Sequence, residues 1–306
     1  MRLLLALACT SAQEPESPRR PDPRLRVDAA RAWLDEEGVE VLRLGMAPYG
    51  GEAELSAWEP LMAALSDQLD VRIELVAYGP HGELEEALIR REIDGAQLRP
   101  LPYVELSRHQ ALHLVAAEVY SGALSYDGYI VTLRDQAVRD VGGLEDLAQT
   151  PFGFVHPDSC SGYLFPAAML LAAGVHPQDD LDARFYSDHR DVLRAVQDGE
   201  VLAGAVWSDA VKDADPDGPS LRVVAKTPPI PSSAWVLRGD LPEEVARGLG
   251  AAMSRVATNT PEGRALLGPL TGVHGFLVVG DSHFDTVRRL QDRLVQAEIS
   301  VPVTAP

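Results

Sequence analysis

Cysteine is nearly absent. Cys9 and Cys160 are the only two in 306 residues, which gives no disulfide framework. Beyond the first nine residues, no apolar run approaches the roughly 20 residues that cross a bilayer as a helix. Positive charge is scarce as well: 27 Lys and Arg stand against 46 Asp and Glu, a formal net charge of -19. That balance argues against nucleic acid or an anionic membrane surface as partner. Any anionic ligand must then be held by local donors against the field of the whole molecule. The eight histidines are scattered. His109 and His113 are four apart, but the residues between them read equally as a solvated helix face, so neither a metal site nor a cofactor is expected. There is no internal repeat and no Gly-x-Ser-x-Gly nucleophile elbow.

What is present reads as an α/β protein. Hydrophobic content of 46% with 24% charged residues is that of an ordinary globular chain, and 306 residues suffice for two lobes. The start, Met1-Arg2-Leu3-Leu4-Leu5-Ala6-Leu7-Ala8-Cys9, resembles a bacterial lipoprotein signal, with one positive charge, an apolar run and a small residue before cysteine. The run is shorter than the roughly 7–15 residues of a secretory core. Residues 13–23 are polar and proline-rich, as a tether would be. The expectation is export, with Cys9 as lipid anchor.

Residues 39–45 read as a strand and 55–69 as a helix, with Trp58, Leu61, Met62 and Leu65 at helix-face spacing. Residues 71–78 alternate as a strand, 83–92 read as a helix and 95–98 as a strand. This βαβαβ rhythm implies α/β layers and a mostly parallel sheet. A second segment opens with strand-like residues 128–133 and continues through strands at 151–155, 203–207 and 221–225, with helices near 167–173 and 191–197. Pro228-Pro229-Ile230-Pro231 is a stiff break, after which 234–237 is extended and 242–257 and 282–297 look helical. The order predicts two lobes, each a mixed or parallel sheet flanked by helices, with a ligand cleft and hinge between them. Residues 1–26 would be signal and tether, 27–126 with 232–306 a discontinuous first lobe, and 127–231 the second. In open α/β sheets ligands bind at the carboxyl ends of strands, so the cleft is the expected site.

Asp158-Ser159-Cys160-Ser161-Gly162-Tyr163 falls between the apolar run 151–155 and the helix-forming run 167–173, which Gly174 closes. The first N–H groups of a helix lack internal partners and its dipole favours negative charge. Serine hydroxyls add donors without bulk, and Gly162 admits close approach to the backbone. These residues suit anion capture; the plainer reading is a helix N-cap, worth about 1 kcal/mol.

From about Val41 to Leu294 the order of segments resembles the PhnD-like substrate-binding proteins of phosphate, phosphite and phosphonate ABC importers, of the type 2 periplasmic-binding-protein fold. That family's Ser-Thr-Ser-Gly-Tyr and following proline stand here as Ser159-Cys160-Ser161-Gly162-Tyr163 and Pro166. Its histidine before a helix ending Ala-Val-x-x-Gly matches His189 and Ala195-Val196-Gln197-Asp198-Gly199. Residues 203–209, 227–231, and Ile93-Asp94-Gly95-Ala96 with Pro100 and Tyr103 also fit.

The resemblance implies an extracytoplasmic, non-enzymatic, monomeric binding protein, periplasmic or at the cell surface. It would capture a small phosphorus oxyanion for an ABC permease and touch the membrane only through its lipid anchor. Ser159, Cys160, Ser161 and Gly162 would surround the phosphoryl oxygens and His189 would donate to them. Tyr78 would come from the first lobe, with Tyr49 and Tyr129 as further candidates. Two positions depart from the pattern: Cys160 replaces a threonine hydroxyl with a weak S–H donor, and Leu202 stands where relatives often carry aspartate. Arg99 could pair with an anion, although an exposed arginine near a strand end is the simpler expectation. The alternatives are a sensing domain of the same fold and a hydrolase using Ser161, His189 and Asp209.

Overall fold

Two β-sheets, each assembled from non-contiguous stretches, divide this computed structural model, which describes residues 22–48, 51–79, 82–134, 141–218 and 220–299. The signal segment with Cys9, and Tyr49, lie outside the described residues. The chain begins with α1 (Pro23–Glu36), β1 (Val41–Met46), α2 (Glu52–Leu69), β2 (Arg72–Ala77), α3 (Glu83–Ile89), β3 (Gly95–Leu98), α4 (Pro100–Ser107) and β4 (Leu112–Tyr120). It crosses through β5 (Ser125–Tyr126) to β6 (Gly128–Leu133), β7 (Pro151–Val155), α5 (Phe165–Ala172), β8 (Asp182–Tyr186), α6 (His189–Gln197), β9 (Ala203–Trp207), α7 (Ser208–Ala214) and β10 (Leu221–Lys226). It returns through β11 (Ile230–Pro231) to β12 (Ala234–Arg238), α8 (Glu243–Met253), α9 (Pro261–Leu267), β13 (Val273–Leu277) and α10 (Asp285–Gln296).

The first sheet has the order β13-β4-β12-β3-β1-β2 and the second β10-β6-β9-β7-β8. The first is mixed rather than mostly parallel. Strands β2, β1 and β3 run parallel, whereas β12, β4 and β13 pair antiparallel. The reason is topological: β12 enters from the second sheet and inserts between β3 and β4. Both crossings pass through a two-stranded ribbon in which Ile230 pairs with Tyr126 and Pro231 with Ser125. The proline-marked break is thus the second crossing.

Several elements escaped the sequence pattern. Helix α1 starts inside the stretch read as tether. Asp22 caps it by accepting from the Arg24 N–H at 2.9 Å, Pro23 occupies its first position, and Val27, Ala30 and Leu34 are buried. Strand β4, central in its sheet, is covered on both faces along its buried half, so it shows little alternation. Helix α4 carries Pro100 and Pro102 in its first turn, where proline removes only N–H groups that have no helical partner.

One core cluster lies between the first sheet and α1, α2 and α8; there Trp58 and Trp235 meet edge to face at 5.2 Å. A second fills the α6 side of the second sheet. The third runs from Leu84, Ile93 and Leu101 beside the first sheet to Phe152, Cys160 and Phe165 beside the second, and takes in Phe284, Val287 and Leu294 at the end of the chain. Helix α10 packs on both α4 and α5, so the C-terminal segment touches both halves.

Helices α1 and α8 approach so closely that a Cβ at Gly248 would lie 2.2 Å from the Ala30 Cβ. Gly248→Ala is expected to destabilise the protein by about 1–3 kcal/mol through overpacking. Adding Ala30→Gly should recover part of that loss, as measured by urea unfolding.

Candidate anion-binding site

Strand β7 ends in the loop His156-Pro157-Asp158, and Ser159 follows in extended conformation. Its Oγ accepts from the Gly162 N–H at 3.0 Å, and its carbonyl accepts from the N–H groups of Tyr163 and Leu164 at 3.1 and 3.0 Å. The chain then takes one wide π-type turn, Cys160–Leu164, before α5 begins. Pro166 accounts for the width. In an ordinary helix its ring would press on the Gly162 carbonyl, and it has no N–H to offer there; one extra residue in the turn relieves both problems. The turn is pressed onto β7: a Cβ at Gly162 would lie 2.5 Å from that of Val155.

Ser159 is therefore an N-cap, yet its hydroxyl keeps its own proton to donate. Ser161 is buried, and its Cβ and Cα lie 3.1 and 3.2 Å from where a Gly128 Cβ would stand. The Thr227 Oγ1 accepts from the Gly128 N–H at 2.9 Å, which fixes that strand end beneath the turn. The Cys160 thiol lies near the Leu101 backbone at the start of α4, and burial pushes its pKa up to about 12. It therefore stays a neutral thiol, directed at the first half of the chain.

His189 is the first residue of α6, behind Asp188, which caps the helix by accepting from Arg190 and Asp191 at 2.7 and 2.9 Å. The imidazole Nδ1 accepts from the Trp207 N–H at 3.1 Å. Burial drives its pKa down to about 4. A neutral ring that accepts at Nδ1 must carry its proton on Nε2, so His189 is a fixed neutral donor at that atom. The same tautomer disfavours the hydrolase alternative. A general base needs a lone pair at Nε2 and a carboxylate at Nδ1. Asp209 instead accepts from the Tyr120 hydroxyl at 3.2 Å and from Lys212 at 2.5 Å.

Two residues gain importance beside the sequence reading. Arg99 is not an exposed strand-end cation: its side chain is 22% exposed, and Nη2 donates to the Asp158 Oδ2 at 2.7 Å. Its charge acts on Cys160 and on His189. The signal available was position, since Arg99 follows the carboxyl end of β3. Asp158 lay within the motif but read only as a possible cap; His156 Nδ1 stands 2.8 Å from its Oδ1. The tyrosines lie apart in character. Tyr78 packs on the cluster that contains Cys160, with its ring 3.2 Å from where a Gly45 Cβ would be. Tyr129 packs on the α6-side cluster, while its neighbours Gly128 and Ile130 turn to the other face of β6.

The depressed His189 pKa has a signed consequence for stability. Below its ordinary pKa near 6.5 the unfolded chain takes a proton that the folded site refuses. Its contribution is whole above that value and falls as pH drops toward 4, by at most about 1.4 kcal/mol per pH unit. Glu118, pushed up to about 7 by burial, acts oppositely: its contribution is lost as pH rises from its ordinary value toward 7. His189→Asn keeps an acceptor for Trp207 without titrating. Its stability difference from the wild type should therefore change between pH 7 and 5, with the wild type losing more on acidification, in urea melts at both values.

The profile of a family described as "ABC transporter, phosphonate, periplasmic substrate-binding protein" matches residues 44–284. The phosphate-import protein PhnD of Mycolicibacterium smegmatis is 27% identical over 220 residues, 68% of this chain and 63% of that protein. The chain thus spans somewhat less than two thirds of this relative's length. A probable ABC transporter phosphite binding protein, PhnD1 of Prochlorococcus marinus, is 24% identical over 229 residues, covering 72% of this chain and 77% of that one. A solved structure of PhnD1 from the same organism, in complex with methylphosphonate, superposes with a TM-score of 0.71 at 18% identity, over 84% of this chain and 99% of that one.

Proposed function

Because the chain belongs to the family of periplasmic substrate-binding proteins of phosphonate ABC transporters, we propose that it captures a small phosphorus oxyanion (phosphonate, phosphite or phosphate) and presents it to an ABC permease. What supports this reading is donors of different kinds linked by one chain of contacts: Ser161 packs on Gly128, Gly128 pairs with Trp207, the Trp207 N–H meets His189, and the Arg99 charge acts on His189. The serine turn opens a helix, His189 is a neutral donor at Nε2, and the Arg99 guanidinium arrives from the other sheet. The relatives named for phosphate import and phosphite binding point to the same ligand class.

In this reading the hydroxyls of Ser159 and Ser161 and the first N–H groups of the turn hold the phosphoryl oxygens, and Nε2 of His189 completes the set. Cys160 contributes its backbone N–H, its thiol being buried and neutral. Replacement of the family's threonine therefore costs no essential donor. Tyr78 and Tyr49 are the aromatic candidates around the ligand, whereas Tyr129 lies on the face of β6 opposite Gly128 and the serine turn. Charge-assisted hydrogen bonds contribute about 1.5–3 kcal/mol each, so four or five leave about micromolar affinity after ordering and desolvation. Residues 27–126 with 232–306 and residues 127–231 act as two lobes that close on the ligand about the ribbon of β5 and β11. The protein works as a monomer outside the cytoplasm, held to the membrane through lipid on Cys9.

Thermal melting against methylphosphonate, phosphite, phosphate and sulfate tests this. A ligand at about 100 times its Kd stabilises the folded state by roughly 2.7 kcal/mol. A clear rise in Tm with a phosphorus oxyanion is expected, and it should vanish in Ser161→Ala and His189→Ala. No rise with any of them, in folded and ligand-free protein, contradicts the reading.

A further inference from the structure

Arg99 and Asp158 reach one another from different sheets. Arg99 stands between β3 and α4, and Asp158 stands immediately before the capping serine. Their 2.7 Å contact is largely shielded, with side chains 22% and 12% exposed. The carboxylate is faced by Arg99 from the start of α4, His156 from its own loop and Glu85 from α3, with the Cys160 thiol close by. Burial raises the Glu85 pKa, and Arg99 supplies the permanent positive charge in this group.

An anion seated on the serine turn meets both members of the pair. It competes with Asp158 for the guanidinium, whose five N–H donors can serve two acceptors at once. Whether Arg99 is shared or transferred, the carboxylate stays close to the turn, where its charge already acts on Cys160. Two full negative charges at such range, shielded from water, repel strongly. A ligand oxygen that carries a proton converts this repulsion into a short O–H···O⁻ hydrogen bond. Phosphate-type groups lose their second proton only near neutrality, so a monoanion with a proton to donate is at hand. Sulfonates and sulfate have none to give.

We propose that the Arg99–Asp158 pair makes this site selective for oxyanions that retain an acidic proton, accepting phosphorus oxyanions and rejecting sulfonates of the same shape. Arg99 supplies attraction common to both classes, and Asp158 supplies the discrimination, as a shielded carboxylate that accepts from a protonated ligand oxygen and repels a fully ionised one. The inference rests on the phosphorus-oxyanion reading above and assigns its selectivity.

Titration calorimetry of the full chain at neutral pH with methylphosphonate and methanesulfonate provides the test. The wild type should favour methylphosphonate by about 100-fold or more, since a site built around a ligand O–H rejects the analogue that lacks it. Asp158→Asn, whose amide can donate to a sulfonate oxygen, should lower that ratio by about tenfold or more. Arg99→Gln should weaken methylphosphonate binding by a similar factor. A wild-type preference below about tenfold, or one unchanged in folded Asp158→Asn, overturns the selectivity claim while the phosphorus-oxyanion reading stands. Absence of wild-type binding to methylphosphonate, phosphite and phosphate alike overturns both. Should Asp158→Asn fail to fold, the wild-type ratio and the same comparison in Asp158→Ser decide.

Discussion

An anion held by a chain with a net charge of -19 must find its attraction within a few ångströms, because the field of the whole molecule repels it. That constraint explains why the candidate site combines donors of different kinds. The turn offers hydroxyls and the open end of a helix, and His189 offers a proton without needing a charge. Arg99 is a cation already balanced by Asp158, so the site carries no unpaired positive charge at that position. Each device works locally and is shielded from the acidic surface.

Positioning these groups needs both sheets. The serine turn depends on β7 beneath Gly162 and on Gly128 beneath Ser161, while Arg99 comes from the end of the other sheet. The Tyr120–Asp209 contact joins the halves as well, and the ribbon of β5 and β11 carries both crossings. Two continuous chain crossings paired in one short ribbon form a natural pivot: the ribbon can bend while each sheet keeps its register.

Much of this was legible in the sequence, for identifiable reasons. The run 151–155, the serines and the alanine-rich helix place a strand, a turn and a helix in order through local chemistry alone. His189 was legible through the family resemblance, as the histidine before a helix that ends Ala195-Val196-Gln197-Asp198-Gly199. What stayed hidden depended on distant partners or competing signals. Strand β4 does not alternate because it is central and covered on both faces. Helix α4 was obscured by two prolines that its first turn tolerates. The π-type turn follows from Pro166, which marked the family pattern without revealing the extra residue. The Arg99–Asp158 pair spans 59 residues, and no local pattern announces which acid a given arginine will meet. Tyr78 and Tyr129 were suggested by resemblance, and the structure gives each its own hydrophobic cluster.

The central claim is that the anion lies on the serine turn, bridged to the first sheet by Arg99. A crystal structure with methylphosphonate tests it most directly. The account predicts phosphonate oxygens within hydrogen-bond distance of the turn from Ser159 to Gly162, of Nε2 of His189, and of the Arg99 guanidinium. A ligand bound away from that turn, with Arg99 still paired only to Asp158 and His189 facing no ligand oxygen, would contradict it.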